Sequence, residues 1–581
     1  MAVKKHVYPK PTNLQDIEKI RKSKEVTLKP SPFVKETTVL RPYQTVGALN
    51  FLLLKYFILG DDPGLGKTVQ ALVAYAIAKQ YNPKLQMIVF TIKSAKNQWA
   101  SEVEKFLQGV TCHVLTMSYK PKSGGKTLTG LEARKAQYED HKDTDIIVSG
   151  YYPLKTEPRL LRSSRGEDLQ VVFDECQMLK NQKSKTHVGA ELFIENATNI
   201  YGLTATPIKN RLTEFYYIYR IVMPKLMPKI THFKEQFCIE VLKDLTIRGG
   251  TRKVKEVVGY KNLEEFSAVI SPYFFRRSAD EVGGELPSII SKRVIFEMSP
   301  AQKTLYRQTV AGLVYQKRVK QKYFEAKEAV EQLELEGKEA PQKLLSTYGS
   351  LDEKYQEILK GTFLKNNKNA SLAFCQLVAN GPQWLGADEA GSSAKEDTFE
   401  EMMEGDLSGQ KVIVYSRFKS GIPRLEAICK RLGVRCTRVT GSENDKERTE
   451  AMRVFQDKES GVDIIFITDA GSAAINLQVS GILVLYDTPW TWGDLVQVIG
   501  RARRLNSEHA TVRVYHMISK DTIDERVLVV LEGKKALINK AVGKQAQGIL
   551  EFGDKDSNKP QIVKEDLRSE VDILFEEVFN L

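Results

Sequence analysis

The chain has 581 residues, 42% hydrophobic and 27% charged, with a formal net charge of +13. That length exceeds one core and points to roughly two to four domains of ordinary globular composition. The positive balance favours a polyanionic partner through counterion release, and six cysteines without a C-x-x-C pair argue against a zinc or disulfide framework.

No apolar run reaches the ~18 residues of a membrane span. The best candidate, Phe51 to Leu59, is interrupted by Lys55, and the N-terminus has no signal-peptide core. The expectation is a cytoplasmic protein with reduced thiols and no membrane partner. Residues 1–38 read as a partly ordered basic tail, solvated by default, with a nucleic-acid arm as the alternative.

From Leu40 to about Met223, apolar strands (Met87–Thr91, Ile146–Ser149, Leu169–Phe173, Ile200–Leu203) alternate with helical stretches, the pattern of a parallel sheet covered on both faces. Phe51 to Leu59 reads as a buried element ending in the turn Gly60-Asp61-Asp62-Pro63-Gly64-Leu65-Gly66-Lys67-Thr68, and a helix follows from Val69. A glycine-rich turn feeding a helix N-terminus gathers N–H groups for phosphate. Lys67 would reach the β- and γ-phosphates, and the Thr68 hydroxyl would sit on Mg²⁺. Asp61 stands where the strict motif has its first glycine.

Asp174 and Glu175 follow the strand Leu169–Phe173, at the edge where an α/β sheet places chemistry. Asp174 suits Mg²⁺, and Glu175 suits activation of the attacking water. In Leu203-Thr204-Ala205-Thr206-Pro207, Thr204 can bond both Gln177 and nucleic-acid phosphate. Residues 300–335 and 342–361 predict a charged helical hairpin broken at Gly337 and Pro341. Gly386–Gly409 reads as a flexible connection.

A second α/β pattern begins at Val412–Tyr415 and continues at Ile464–Thr468, Ile482–Tyr486 and Thr511–Met517. Thr468 to Gln478 is a strand and small-residue turn able to approach a phosphodiester. In Gln497-Val498-Ile499-Gly500-Arg501-Ala502-Arg503-Arg504, Arg501 and Arg504 lie one helical turn apart and can face one phosphate as arginine fingers, while Arg503 reads as nucleic-acid surface. Leu567, Val571, Leu574, Phe575 and Val578 line one face of a C-terminal helix.

In order, these segments resemble the superfamily-two helicase-like motors, most closely the Swi/Snf-type DNA translocases, over about residues 36–530. Leu40-Arg41-Pro42-Tyr43-Gln44 resembles the adenine-reading Q motif, and Gly60–Thr68 resembles motif I, in which the family itself carries the acidic residue. Ile92-Lys93-Ser94 with Gln98-Trp99, Asp174–Gln177 and Leu203–Asn210 resemble motifs Ia, II and III. Phe274-Phe275-Arg276-Arg277, Leu286-Pro287 and Met298–Gln302 resemble the bridge between lobes. Val414–Phe418, Thr440–Ser442, Thr468–Gln478, Asp487–Asp494 and Gln497–Arg504 complete the second lobe. Motif II departs at Cys176 and Gln177, and motif V at Ala473-Ala474-Ile475.

The resemblance implies an α/β fold of two RecA-like parallel-sheet lobes with a helical insertion between them: a basic tail at 1–38, lobe one at 39–225, insertion and linker at 226–408, lobe two at 409–535 and a helical extension at 536–581. It implies ATP and Mg²⁺ in the cleft. Arg41, Gln44, Asp62, Pro63, Gly64, Leu65, Gly66, Lys67, Thr68, Val69 and Gln497 would line the nucleotide, and Thr68 and Asp174 the metal. Lys67, Asp174, Glu175, Gln177, Arg501 and Arg504 would carry hydrolysis. Lys93, Ser94, Thr204, Ser416, Arg417, Thr440, Asn476 and Trp490 would contact nucleic acid. The expected activity is ATP-driven translocation on double-stranded or branched DNA by a monomeric, compact bacterial or viral protein, with a possible protein partner at the helical insertion. Alternatives are a motor for branched DNA or RNA and a nucleotide-gated scaffold.

Overall fold

In the computed structural model, residues 10–550 and 578 are described, except 24–25, 207–211, 225–226, 248–249, 283–285, 361–367, 386–392, 470–474, 506 and 543–548. The chain builds two all-parallel sheets. The first uses β1 (Tyr56–Leu59), β2 (Gln86–Thr91), β3 (Cys112–Val114), β4 (Ile146–Gly150), β5 (Leu169–Asp174) and β6 (Asn199–Leu203). An antiparallel ribbon, β7 (Cys238–Ile247) and β8 (Gly250–Tyr260), stands apart. A short β9 (Phe274–Phe275) then joins β1, so the first sheet runs β9-β1-β6-β5-β2-β4-β3.

The second sheet contains β10 (Ser288–Phe296), β11 (Val412–Tyr415), β12 (Arg435–Val439), β13 (Val462–Ile467), β14 (Ile482–Leu485) and β15 (Thr511–Ser519). Its order is β10-β15-β14-β11-β13-β12. The central strands are buried along their whole length, as a parallel sheet with both faces covered requires; β11 is Val-Ile-Val-Tyr and β14 Ile-Leu-Val-Leu.

The helices that matter for the site are α1 (Leu14–Lys22), α2 (Pro42–Leu53), α3 (Lys67–Tyr81) and α4 (Lys96–Phe106) on the first sheet, then α5 (Pro300–Leu335), α6 (Gln342–Lys360), α7 (Lys368–Asn380), α8 (Ala394–Glu404), α9 (Trp492–Ala502) and α10 (Ile523–Val542). The predicted strands and helical hairpin are present. In the hairpin, Tyr323 of α5 stacks on Tyr348 of α6 with ring centroids 5.6 Å apart.

Three expectations are corrected, and the partly ordered tail gains a helix. Phe51 to Leu59 is two elements: α2 ends at Leu53, Leu54 is extended, and β1 begins at Tyr56. A fully apolar run carries no period to tell helix from strand. The segment 226–408 is not purely helical, since β9 belongs to the first sheet and β10 to the second. Gly386–Gly409 is not simply a flexible connection, because a Ser393/Glu396 capping box starts α8 with Lys395 and Glu396 buried. The basic tail contains α1, whose Ile17 is fully buried and whose Arg21 donates to Asn50 Oδ1 (2.7 Å) and to the carbonyls of Ser271 and Pro272. The C-terminal helical face at 567–575 lies outside the described residues, and Val578 packs on the core.

The bridge between the sheets is anchored to the glycine-rich turn by charge. Asp61, wholly buried, takes the Arg277 side chain through Nε (3.0 Å) and a second nitrogen (2.5 Å), and accepts from Gln70. Arg277 also donates to the Tyr43 carbonyl. Asp62 takes Arg276 at 2.5 Å and the Ala279 N–H at 3.2 Å. Asp61 therefore replaces the motif's glycine to receive an arginine from the bridge. Substituting Arg277→Met leaves Asp61 buried without its counter-ion and should cost about 3–5 kcal/mol. A lowered urea midpoint, followed by tryptophan fluorescence, is the expected result.

Candidate functional site: a cleft between two sheets

The turn after β1 places Gly64 (φ 88°) and Gly66 (φ 72°) in the left-handed region, where a side chain would be strained. This shapes the loop so that α3 opens with its N-terminus toward the cleft. Gly64 also lies against the second sheet's loop: a Cβ there would meet the Arg503 carbonyl at 3.0 Å. A Cβ at Gly500 of α9 would meet the Pro63 side chain at 2.6 Å. The two units thus approach each other closely around a cavity of about 390 Å³, with Gly64 against the Arg503 backbone and Gly500 against the Pro63 ring.

The cavity is lined from the first unit by Arg41, Gln44, Lys67, Thr68, Asp174 and Glu175, and from the second by Asn476, Gln497, Arg501 and Arg504. Pro63, Gly64, Gly66 and Val69 complete the nucleotide-loop side, with Leu65 buried beneath it. The Lys67 ammonium donates to the carbonyls of Asp61 (2.7 Å) and Asp62 (3.2 Å). Burial pushes its pKa down, opposed by Glu175 and Asp61. Gln44 accepts from the Arg41 N–H (3.0 Å) and donates to the Leu65 carbonyl (3.3 Å), so both ends of its amide brace the loop.

Asp174 ends β5. Its Oδ2 accepts from Thr91 Oγ1 and Trp99 Nε1, both at 2.8 Å, which fixes the carboxylate. Burial and the neighbouring Glu175 push it up to about 6. Glu175 has φ 54°, a left-handed conformation costly for a non-glycine residue that turns its side chain out of the strand direction. Its Oε2 accepts from Gln177 Nε2 (2.6 Å), and Gln177 Oε1 accepts from Thr204 Oγ1 (2.9 Å), which in turn accepts from the Thr206 N–H (3.0 Å). Gln177 thus makes the relay bond anticipated for it.

Burial lowers both guanidinium pKa values, Arg501 to about 9 with repulsion from Arg504 as the next cause; Glu175 opposes the shift in each. The Nε atoms of both are buried without a hydrogen-bond partner. Cationic donors with unspent capacity facing fixed carboxylates suit a phosphate-bound cation: the donors fit the anion, Asp174 the metal. Among the described residues no group of three or more His, Cys, Asp or Glu could hold a metal ion.

The predicted nucleic-acid residues are spread over both units, and among them Arg417 and Trp490 are in contact. Lys93 is exposed and Ser94 half-buried just before α4. Thr204 is buried in the relay; Ser416 donates to Asp487 Oδ2 (2.7 Å); Thr440 is buried against Glu443; and Trp490 donates its Nε1 to Gln376 Oε1 (2.6 Å). Each spends its polar group inside the protein. Asn476 faces the cleft, and Arg417 lies over the Trp490 ring at 4.0 Å. Arg503 is not a free surface: it donates to the Pro287 carbonyl (2.7 Å) and pairs with Asp280 (3.0 Å). Residues 207–210 and 470–474 lie outside the described residues. Sequence reasoning missed the carboxylate-fixing roles of Thr91 and Trp99. It also missed Glu102 of α4, which lines the cavity, takes a Gln98 hydrogen bond (3.1 Å) and has its pKa raised by burial.

This fold and cleft define a two-lobed, helicase-like ATP hydrolase. The chain matches the SNF2-related domain over residues 54–378 and the helicase conserved C-terminal domain over 394–506. It belongs to the SNF2-related family. It is 26% identical over 551 residues to the Caenorhabditis elegans homologue of the SWI/SNF-related regulator of chromatin subfamily A containing DEAD/H box 1 (90% of this chain, 53% of the relative). It is 25% identical over 516 residues to an uncharacterized ATP-dependent helicase of Mycoplasma pneumoniae (87% and 42%). The chain thus spans about half the length of the curated relatives it matches. The Sulfolobus solfataricus SWI2/SNF2 ATPase core, solved in complex with dsDNA, is 22% identical, with 89% and 95% of the two chains covered and a TM-score of 0.36. Among the described residues no helix is long and apolar enough to cross a membrane.

Substituting Thr204→Val removes the donor that orients Gln177 and should lower ATP turnover by about tenfold with little change in nucleotide KM. Steady-state kinetics at saturating nucleic acid check this.

Proposed function

We propose that the chain is an ATP-driven translocase on duplex DNA that remodels DNA structures or protein–DNA complexes. One observation carries the reading: a lysine and two carboxylates of one sheet share a cavity with two buried, under-bonded arginines of the other. Lys67 and the N–H groups at the start of α3 hold the β- and γ-phosphates of ATP. The Thr68 hydroxyl and Asp174 hold Mg²⁺, which supplies neutralisation of the charge that builds on the phosphate oxygens. Glu175, steadied by Gln177, accepts the proton of the attacking water and orients it. Arg501 and Arg504 reach the γ-phosphate only when the lobes are closed, so ATP has a differential affinity for the closed cleft. Hydrolysis removes that preference, and repeated closure moves the lobes along a backbone gripped in the neighbourhood of Lys93, Ser94 and Arg417.

Backbone gripping carries no sequence information. The +13 charge supports a polyanion, and the relative named as a regulator of chromatin motivates choosing duplex DNA.

Lys67→Ala should abolish turnover, and Glu175→Gln should lower kcat by at least about 10²-fold while ATP stays bound in the closed cleft. Wild-type DNA-stimulated turnover in Glu175→Gln would remove the assignment. A panel of duplex, branched and single-stranded DNA and RNA, read as ATPase stimulation, should give the largest response with duplex DNA and a steep decline with salt. Displacement of a third strand from a triplex track separates a motor from a scaffold that hydrolyses ATP without moving.

A further inference from the structure

The capping box at Ser393 turns Lys395 of α8 wholly into the interior. An ammonium is retained there only if charges and hydrogen bonds surround it. Lys395 Nζ donates to Asn380 Oδ1 and Asp524 Oδ2, both at 2.9 Å, and lies 3.9 Å from Asp487 Oδ1. Asp487, also fully buried, accepts from Ser416 Oγ (2.7 Å), the Arg417 N–H (3.3 Å) and Asn380 Nδ2 (2.8 Å). Asp524 accepts from Gln376 Nε2 (3.1 Å), and Gln376 accepts from Trp490 Nε1 (2.6 Å).

Two chains of hydrogen bonds therefore leave the lysine and end at the same place. One fixes the turn that carries Arg417. The other fixes the Trp490 ring, over whose face the Arg417 guanidinium lies at 4.0 Å. Arg417 faces Asp469 at 3.7 Å and keeps 27% of its side chain exposed. Nothing else in the cleft chemistry uses Lys395, Asp487 or Asp524. Burial pushes the Asp487 carboxyl up, and the Lys395 ammonium is the largest influence pulling it back. The long hairpin is footed on the same node, since Gln302 of α5 donates to the carbonyls of Val378 and Ala379 and Tyr306 accepts from the Ile523 N–H.

We infer that Lys395 is a positioning residue for nucleic-acid engagement: through Asp487 and through the Asp524–Gln376–Trp490 chain it holds Arg417 so that its guanidinium meets a phosphodiester backbone. This rests on the proposed function, in which Arg417 grips the strand.

The test compares wild type, Lys395→Met, Arg417→Ala and the double variant Lys395→Met/Arg417→Ala. A fourth variant, Lys395→Met/Asp524→Asn, loses one charge of each sign, so it keeps the test open where the single lysine change fails to fold. Three quantities are read: anisotropy of a fluorescent blunt duplex over a salt series, the duplex concentration that half-saturates ATPase, and nucleotide KM without DNA. Lys395→Met should weaken duplex binding and raise the half-saturating concentration by about fivefold to tenfold, and lower the salt slope by about one. Its nucleotide KM without DNA should stay within about twofold. Arg417→Ala should show the same defect, and combining it with Lys395→Met should add nothing further.

Three results would overturn the inference. The first is wild-type duplex affinity in a folded Lys395→Met or in the charge-balanced variant, where Arg417→Ala has lost affinity. The second is additive losses in the Lys395→Met/Arg417→Ala double variant. The third is wild-type affinity in Arg417→Ala, which removes Arg417 as a contact together with the inference, while the ATP site is tested separately by Lys67→Ala.

Discussion

Two guanidinium groups buried opposite two carboxylates organise everything else. Arg501 comes from the last turn of α9 and Arg504 from the segment just after that helix, while Asp174 ends β5 and Glu175 follows it. Burial disfavours the charged form of each side, lowering the arginine pKa values and raising that of Asp174. Such a gap suits a ligand that carries both signs, as the proposed nucleotide with its cation would. The geometry is therefore one of unmet electrostatic demand shared between two rigid bodies, and a ligand that meets it also draws them together.

The bridge turns this shared demand into a controlled one. Arg276 and Arg277 hold Asp62 and Asp61 at the base of the phosphate loop, while Pro287 and Asp280 hold Arg503, next to Arg504. Arg276 and Arg277 thus grip the loop on one side of the cleft, and Asp280 and Pro287 the end of the arginine helix on the other. The two-residue strand β9 and the nine-residue strand β10 at the two ends of this segment lock it into both sheets. Relative motion of the lobes is limited to what this double-ended strap permits, which is why the loops can pack as closely as Gly64 on Arg503 and Gly500 on Pro63.

The strands were legible because a buried parallel strand is a short apolar run between turn residues, as in Leu169–Asp174 and Val412–Tyr415. The cleft was legible because its chemistry clusters at motif positions: Lys67, Asp174, Glu175, Arg501 and Arg504 meet as expected. Less legible were interactions spread across distant segments. No local pattern pairs Asp61 with Arg277, or Trp99 with Asp174. The α8 helix was legible and overlooked, since Ser393-Ala394-Lys395-Glu396 is itself a capping-box sequence inside a stretch whose Gly, Ala, Ser and acidic content suggested a linker. The surroundings of the expected nucleic-acid residues were least legible, because a serine, threonine or tryptophan at a strand end serves an internal hydrogen bond as readily as a phosphate. Only burial distinguishes these uses, and burial depends on tertiary packing.

One helix shows how the two functions of such a chain connect physically. Helix α4 begins directly after Lys93 and Ser94, where the proposed nucleic-acid track meets the first lobe. Its Trp99 donates to the carboxylate of Asp174, and Glu102, one turn further on, lines the phosphate cavity with a carboxyl whose pKa burial raises against the opposing pull of Gln98 and Arg504. The carboxylate that would hold the metal is therefore fixed by the helix that leads away from the strand contact. A shift of α4 of even a fraction of an ångström alters the Trp99–Asp174 bond, because hydrogen bonds weaken steeply as they leave their preferred geometry. In the proposed motor, stimulation of hydrolysis by nucleic acid then needs no long-range pathway; it needs only that one rigid helix be seated at both ends.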